Sequence, residues 1–84
     1  MPGKQIVRSK KPSLKQVGLI ELGQMVKYKR TSNHLKIKDA ADLLGISVTT
    51  LIRIEKGEST VSSGNLFKAI TGFGIELIID DHIE

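Results

Sequence analysis

IKDAADLLGISVTTLIRIEKG, residues 37–57, reads as two short helices joined by a tight turn. The first runs from Ile37 to Leu44 and is closed by Gly45; the second runs from Val48 to Glu55 behind Ser47. Ala40, Leu44, Ile46, Leu51 and Ile54 fall at the one-sided spacing expected when two helices share a core. Ala41 is small where the helices would cross, so their backbones can approach. Gly45 can turn left-handed without steric cost, which ends the first helix and reverses the chain. Ser47 is a good N-cap for the second. The combination predicts a helix-turn-helix unit, as against a plain αα-hairpin, and in such units the second helix usually lies in the DNA major groove.

Composition agrees. A chain of 84 residues has room for one small domain with a modest core, and domains of this size often rely on a partner for stability. The 13 Lys and Arg against 9 Asp and Glu leave it mildly basic at +4. There is no cysteine, hence no disulfide framework and no thiolate metal site, which suits a reducing compartment. No apolar run approaches the roughly 20 residues of a membrane span, and no signal-peptide core is visible. The expected location is the bacterial cytosol, with the nucleoid.

The distribution of charge says more than its total. Residues 1–36 hold Lys4, Arg8, Lys10, Lys11, Lys15, Lys27, Lys29, Arg30 and Lys36 against Glu21 alone. Residues 37–71 are balanced, and the end of the chain carries Glu76, Asp80, Asp81 and Glu84 without Lys or Arg. This predicts a first half facing phosphates and an acidic tip facing away.

Three regions follow. Residues 1–12, with Pro2, Gly3 and Pro12, read as a flexible basic arm in which Ile6 and Val7 give a slight strand signal. Residues 13–74 read as the helix-turn-helix domain. Ser13 to Gln16 fits a capping box and predicts the start of helix 1, with Val17, Leu22, Val26 and Arg30 near one face and fraying at Ser32 and Asn33. Gly23 is expected to serve close packing and Gly18 a weaker first turn. Ser62 or Ser63 caps a fourth helix reaching about Thr71, with Leu66, Phe67 and Ile70 inward and Gly72 and Gly74 serving the turn after it. Residues 75–84 read as a dimerisation strand (residues 75–80) and an acidic tail. The β-branched content of that strand and its open edge call for a partner, and the obvious one is the same strand of a second copy. Ile75, Leu77 and Ile79 would lie on one face against helix 4, with Ile78 on a second apolar surface.

The residues Leu22, Gly23, Val26, Arg30 and Leu35, the helix-turn-helix itself, and the closing Arg53-Ile54-Glu55-Lys56-Gly57 resemble the lambda-repressor/Cro (XRE-type) family over roughly residues 20–74. The resemblance implies a mainly α fold of four to five helices. The family's usual fifth helix is missing, and a strand in its place resembles the HipB-like antitoxins, whose C-terminal strands pair across a homodimer. That likeness implies autoregulation at an operator and a HipA-type serine/threonine kinase toxin as partner. The family commonly has Gln at the first position of helix 2; this chain has Ile37, so a phosphate contact made there must come from backbone amides, Lys36 or Lys38. Glu55 resembles the family's structural glutamate, bracing helix 3.

Base reading needs donors, acceptors or methyls at the exposed N-terminal end of helix 3. Ser47, Val48, Thr49 and Arg53 are the candidates: Val48 and Thr49 offer methyls to thymine, and Arg53 offers a fork to guanine. Arg53 also reads as a phosphate clamp or as a partner of Glu55 or Glu58. Ile52 is a further candidate for a thymine methyl or sugar. Phosphate contacts are expected from Lys36, Lys38, Thr50, Lys56, Ser59 and Thr60, although each lysine also reads as a solvated surface charge and for Lys38 that is the preferred reading.

Other chemistry finds little support. His34 and His82 are isolated, Asp39 and Asp42 read as a solvated helix face, and no phosphate-cradling glycine loop is present, so neither an enzyme, a metal nor a cofactor is expected. The reading is a sequence-specific repressor on double-stranded operator DNA with an inverted repeat, and an antitoxin. The alternatives are a phage-type repressor without a toxin partner and a protein-interaction module with secondary DNA binding.

Overall fold

A computed structural model describes residues 17–78, which form four helices. These are α1 (Leu19–Ser32), α2 (Ile37–Leu44), α3 (Val48–Lys56) and α4 (Ser63–Gly72). The basic arm, the capping box at residues 13–16, Ile79 and the acidic tip lie outside the described residues.

Helix starts follow local chemistry. Ser47 accepts the Thr50 N–H at 3.0 Å and Ser62 accepts the Asn65 N–H at 3.2 Å, each satisfying one orphan amide of a first turn. Helix α1 starts later than expected. Gly18 is extended (φ −119°, ψ −173°) and donates its N–H to the Glu21 carboxylate at 3.0 Å, so Val17 precedes the helix. An acidic group in the first turn also suits the positive end of the helix dipole.

All four helices end alike. A residue with positive φ follows the last turn (His34 58°, Gly45 73°, Gly57 77°, Gly74 66°). The next N–H then returns five positions: Leu35 to the Arg30 carbonyl (3.1 Å), Ile46 to Ala41 (3.0 Å), Glu58 to Arg53 (3.1 Å) and Ile75 to Ile70 (2.9 Å). This is the Schellman arrangement, which satisfies carbonyls the helix leaves open. Leu35, Ile46 and Ile75 are apolar and pack against the core.

The core is built from Val26 of α1, Ala40, Ala41 and Leu44 of α2, Leu51 and Ile54 of α3, and Ala69 of α4. Val26 and Leu51 are the largest fully buried side chains; each such burial contributes about 1.5–3 kcal/mol. The small pair Ala40 and Ala41 lets α2 sit close to its neighbours. In α4 the inward residues are Leu66, Ala69 and Ile70, with Phe73 after them. Phe67, expected inward, is exposed because it falls outside that i, i+3, i+4, i+7 stripe. Gly72 does not merely serve the turn: a Cβ there would collide with Leu44 Cδ2, so it lets α4 approach α2.

Helices α1 and α3 are joined at two levels. Gly23 faces the Ile54 and Glu55 carbonyls with no room for a Cβ. Two turns further along α1, Arg30 grips Glu55 with two bonds, Nε to Oε2 at 2.6 Å and Nη2 to Oε1 at 3.0 Å, while its Nη1 donates to the Leu35 carbonyl at 3.0 Å. The planar guanidinium suits this forked geometry. Glu55 thus braces α3, as the family resemblance implies, and Arg30 is the group it braces against.

Among the described residues there is no strand. Residues 75–78 run beside α1, lining a groove with Val17, Leu22, Met25 and Tyr28, rather than lying on α4 alone. Ile75 is half-buried against the core, whereas Leu77 and Ile78 are exposed.

Candidate nucleic-acid interface

Helix α3 divides its residues by face. Leu51 and Ile54 are buried, and Val48 and Glu55 are half-buried beside them. Thr49, Ile52, Arg53 and Lys56 are exposed, and their i, i+3, i+4, i+7 spacing makes one outward stripe. It carries two positive charges and no negative one.

The expected base-reading residues therefore separate. Thr49 and Arg53 lie on the outward stripe. Val48 is half-buried against the core and offers only part of its surface. Ser47 is engaged at the helix start: its Oγ accepts the Thr50 N–H and donates to Thr50 Oγ1 at 2.8 Å. Ile52, which the sequence placed only second, shares the stripe with Arg53.

The expected phosphate residues also differ in their surroundings. Lys36 is exposed as the extended residue opening α2, with no side-chain cap of its own. Lys38 donates to Asp42 Oδ2 at 3.2 Å across one exposed turn, a charge partner it would share with any phosphate. Lys56 is exposed at the end of α3, Ser59 and Thr60 are exposed in the loop after it, and Thr50 is half-buried. Arg53 Nε stands 3.9 Å from Glu58 Oε1, so of the two acidic partners weighed for it Glu58 is the one beside it, and Glu55 belongs to Arg30.

Ile37, standing where the family commonly has Gln, is half-buried against the core. An apolar side chain at the first turn of α2 contributes packing in place of a polar contact. The Lys36 carbonyl is already committed to the Ala40 N–H at 3.0 Å, as the first bond of the helix.

The helix-turn-helix family profile matches residues 26–78, more than half of the chain. The chain belongs to the lambda-repressor/Cro-like, XRE-type helix-turn-helix family. As an XRE-type domain it is a sequence-specific DNA-binding transcription regulator. The matched region takes in α2 and α3 whole and begins at Val26, the fully buried residue of α1. A comparison with curated proteins finds no match. Among the described residues of this XRE-type domain, no helix is long and apolar enough to cross a membrane.

Proposed function

We propose that the chain is a dimeric transcriptional repressor that reads an inverted-repeat operator with α3, and that it serves as the HipB-like antitoxin of a HipA-type kinase toxin. The outward stripe of α3 carries the DNA reading. Thr49 and Ile52 offer methyl groups to thymine, Arg53 offers the donor fork that matches guanine O6 and N7, and Lys56 closes the stripe with a phosphate contact. Ser47 and Val48 contribute at the stripe's N-terminal edge, where the free amides of the first turn also favour an anion. Lys36, Lys38, Thr50, Ser59 and Thr60 hold the backbone in register without reading sequence.

These roles separate by experiment. Arg53→Ala is expected to lower discrimination between operator and altered operator by about 1–3 kcal/mol. Lys36→Ala is expected to weaken binding to all duplexes alike and to reduce the salt slope by about one unit. Titrations at several salt concentrations, on cognate and scrambled duplexes, check both. An unchanged specificity ratio in Arg53→Ala would remove the base contact.

The dimer is supported by the end of the described chain. Ile78 is 86% exposed and Leu77 lies partly open beside it. Antiparallel pairing of residues 75–80 with a second copy would satisfy the backbone edge and cover Leu77, Ile78 and Ile79 in one isologous contact, with Ile75 anchoring the strand on each core. Two copies of α3 would then sit about 34–36 Å apart, one turn of DNA. Leu77→Ser/Ile78→Ser spares Ile75 and its helix cap, so the fold is expected to persist while dimer and full-site binding are lost. Sedimentation and operator titration read this out. A double variant that stays dimeric places the interface elsewhere. The toxin role rests on the resemblance to HipB-like antitoxins, and co-purification with the kinase from the native host tests it.

A further inference from the structure

Three of the four Schellman turns bring an apolar residue back onto the core, and one does not. Leu35, Ile46 and Ile75 close α1, α2 and α4 with packed side chains. The turn that closes α3 uses the same backbone geometry, with Gly57 at φ 77° and Glu58 N–H returning to the Arg53 carbonyl at 3.1 Å. Its closing residue is Glu58, exposed, with Oε1 3.9 Å from Arg53 Nε. A hydrophobic contact commonly joins the two positions that this turn brings together. At the end of α3 those positions carry opposite charges instead, and they stand at the edge of the outward stripe.

We infer that Glu58 is a positioning residue for Arg53. The cap fixes where residue 58 stands, because its N–H is tied to the carbonyl of Arg53 itself. Its carboxylate makes its nearest approach to the guanidinium on the Nε side, so in this role the Nη1 and Nη2 edge is left for the base. That edge is the one that forms two parallel bonds to guanine O6 and N7. A free arginine samples many rotamers and loses them on binding, so an arginine oriented beforehand binds its base at lower cost. The carboxylate also repels every phosphate alike, which weakens contact with cognate and non-cognate duplex by a similar factor. Glu58 therefore trades total affinity for discrimination. The inference rests on the reading of Arg53 as a base contact.

The test compares wild type, Glu58→Gln, Glu58→Asp, Arg53→Ala and the Arg53→Ala/Glu58→Gln double variant. The probes are a duplex selected by the wild-type protein from random sequence and a scrambled duplex, both at one fixed salt concentration. Glu58 is exposed, so unfolding midpoints are expected to be unchanged. Glu58→Gln is expected to tighten binding to both duplexes and to lower the specificity ratio about threefold, the fold-change that an exposed ion pair supports. Glu58→Asp is expected to restore part of the ratio, and in the Arg53→Ala background Glu58→Gln is expected to tighten both duplexes without changing the ratio further. If Arg53→Ala lowers the ratio while Glu58→Gln leaves it intact, the positioning role is overturned and the base contact stands. If Glu58→Gln lowers the ratio equally in both backgrounds, Glu58 acts independently of Arg53 and the inference is overturned as well. If Arg53→Ala leaves the ratio unchanged, the base contact itself fails and the positioning role fails with it.

Discussion

Gly23→Ala is expected to destabilise the domain by more than any exposed substitution, in spite of alanine's better helix propensity. The gain from propensity is about 1 kcal/mol at an unhindered helical site. At Gly23 the new methyl would overlap the Ile54 carbonyl oxygen and stand 2.8 Å from that of Glu55. Both are backbone atoms inside α3 and cannot swing aside as a flexible side chain would. The helices must separate, and the separation loosens a second close contact between the same parts of the chain, where Gly57 abuts Ile20. Overpacking of this kind costs about 1–3 kcal/mol even where the core can relax, and backbone cannot. A net loss of about 2 kcal/mol or more is a large share of the roughly 5 kcal/mol that a domain this small commands. Gly64→Ala is the matching control, since a Cβ there meets open space, and it should hold or raise stability. Urea unfolding of both variants decides the matter; Gly23→Ala as stable as wild type would show that α1 and α3 are not held at this distance.

Arg30→Met is expected to be at least as damaging, by about 3 kcal/mol, because it leaves a largely buried carboxylate without its partner. The Arg30 and Glu55 side chains are only 14% and 9% exposed. The same substitution orphans the Leu35 carbonyl, which accepts from Arg30 Nη1. The loss should be mostly removed in Arg30→Met/Glu55→Met, since replacing both members of a buried pair by apolar groups is often close to neutral. Denaturation of the two single variants and the double variant gives the coupling directly. Additive losses would mean that the two side chains stabilise the domain separately.

The pair also shows where the sequence stops being legible. Ser47, Gly45 and Ser62 do at their positions what their neighbours imply, because capping depends on side chains within about one turn. Ala40, Leu44, Leu51 and Ile54 are buried as their spacing predicts, and the exposed Thr49 and Arg53 follow from the same periodicity. These are short-range matters. The family resemblance extended them to the fold and to DNA binding, and the family match agrees.

What the local pattern misjudged was decided by which surfaces meet. Helical spacing allowed Val17 a place on the inner face of α1, but Gly18 extends the chain and Glu21 caps the helix behind it. Phe67 is expected inward with Leu66 and Ile70, whereas Ala69 carries no such expectation. The stripe that meets the core is Leu66, Ala69, Ile70 and Phe73, so the small residue lies in and the Phe67 ring out, and Gly72 against Leu44 marks the close approach of α4 to α2. Val48 is expected among the base-reading residues, and the packing of α3 instead draws it partly onto the core.

By itself, then, the sequence determined the helix-turn-helix, its caps, most of its core and the outward face of α3, since each depends on residues within one or two turns of one another. Only the tertiary structure decided that Arg30 binds Glu55 across 25 positions, that Glu58 rather than Glu55 stands beside Arg53, and that residues 75–78 run along α1. Such pairings are set by the distance and angle at which helices cross, and no local spacing encodes a crossing.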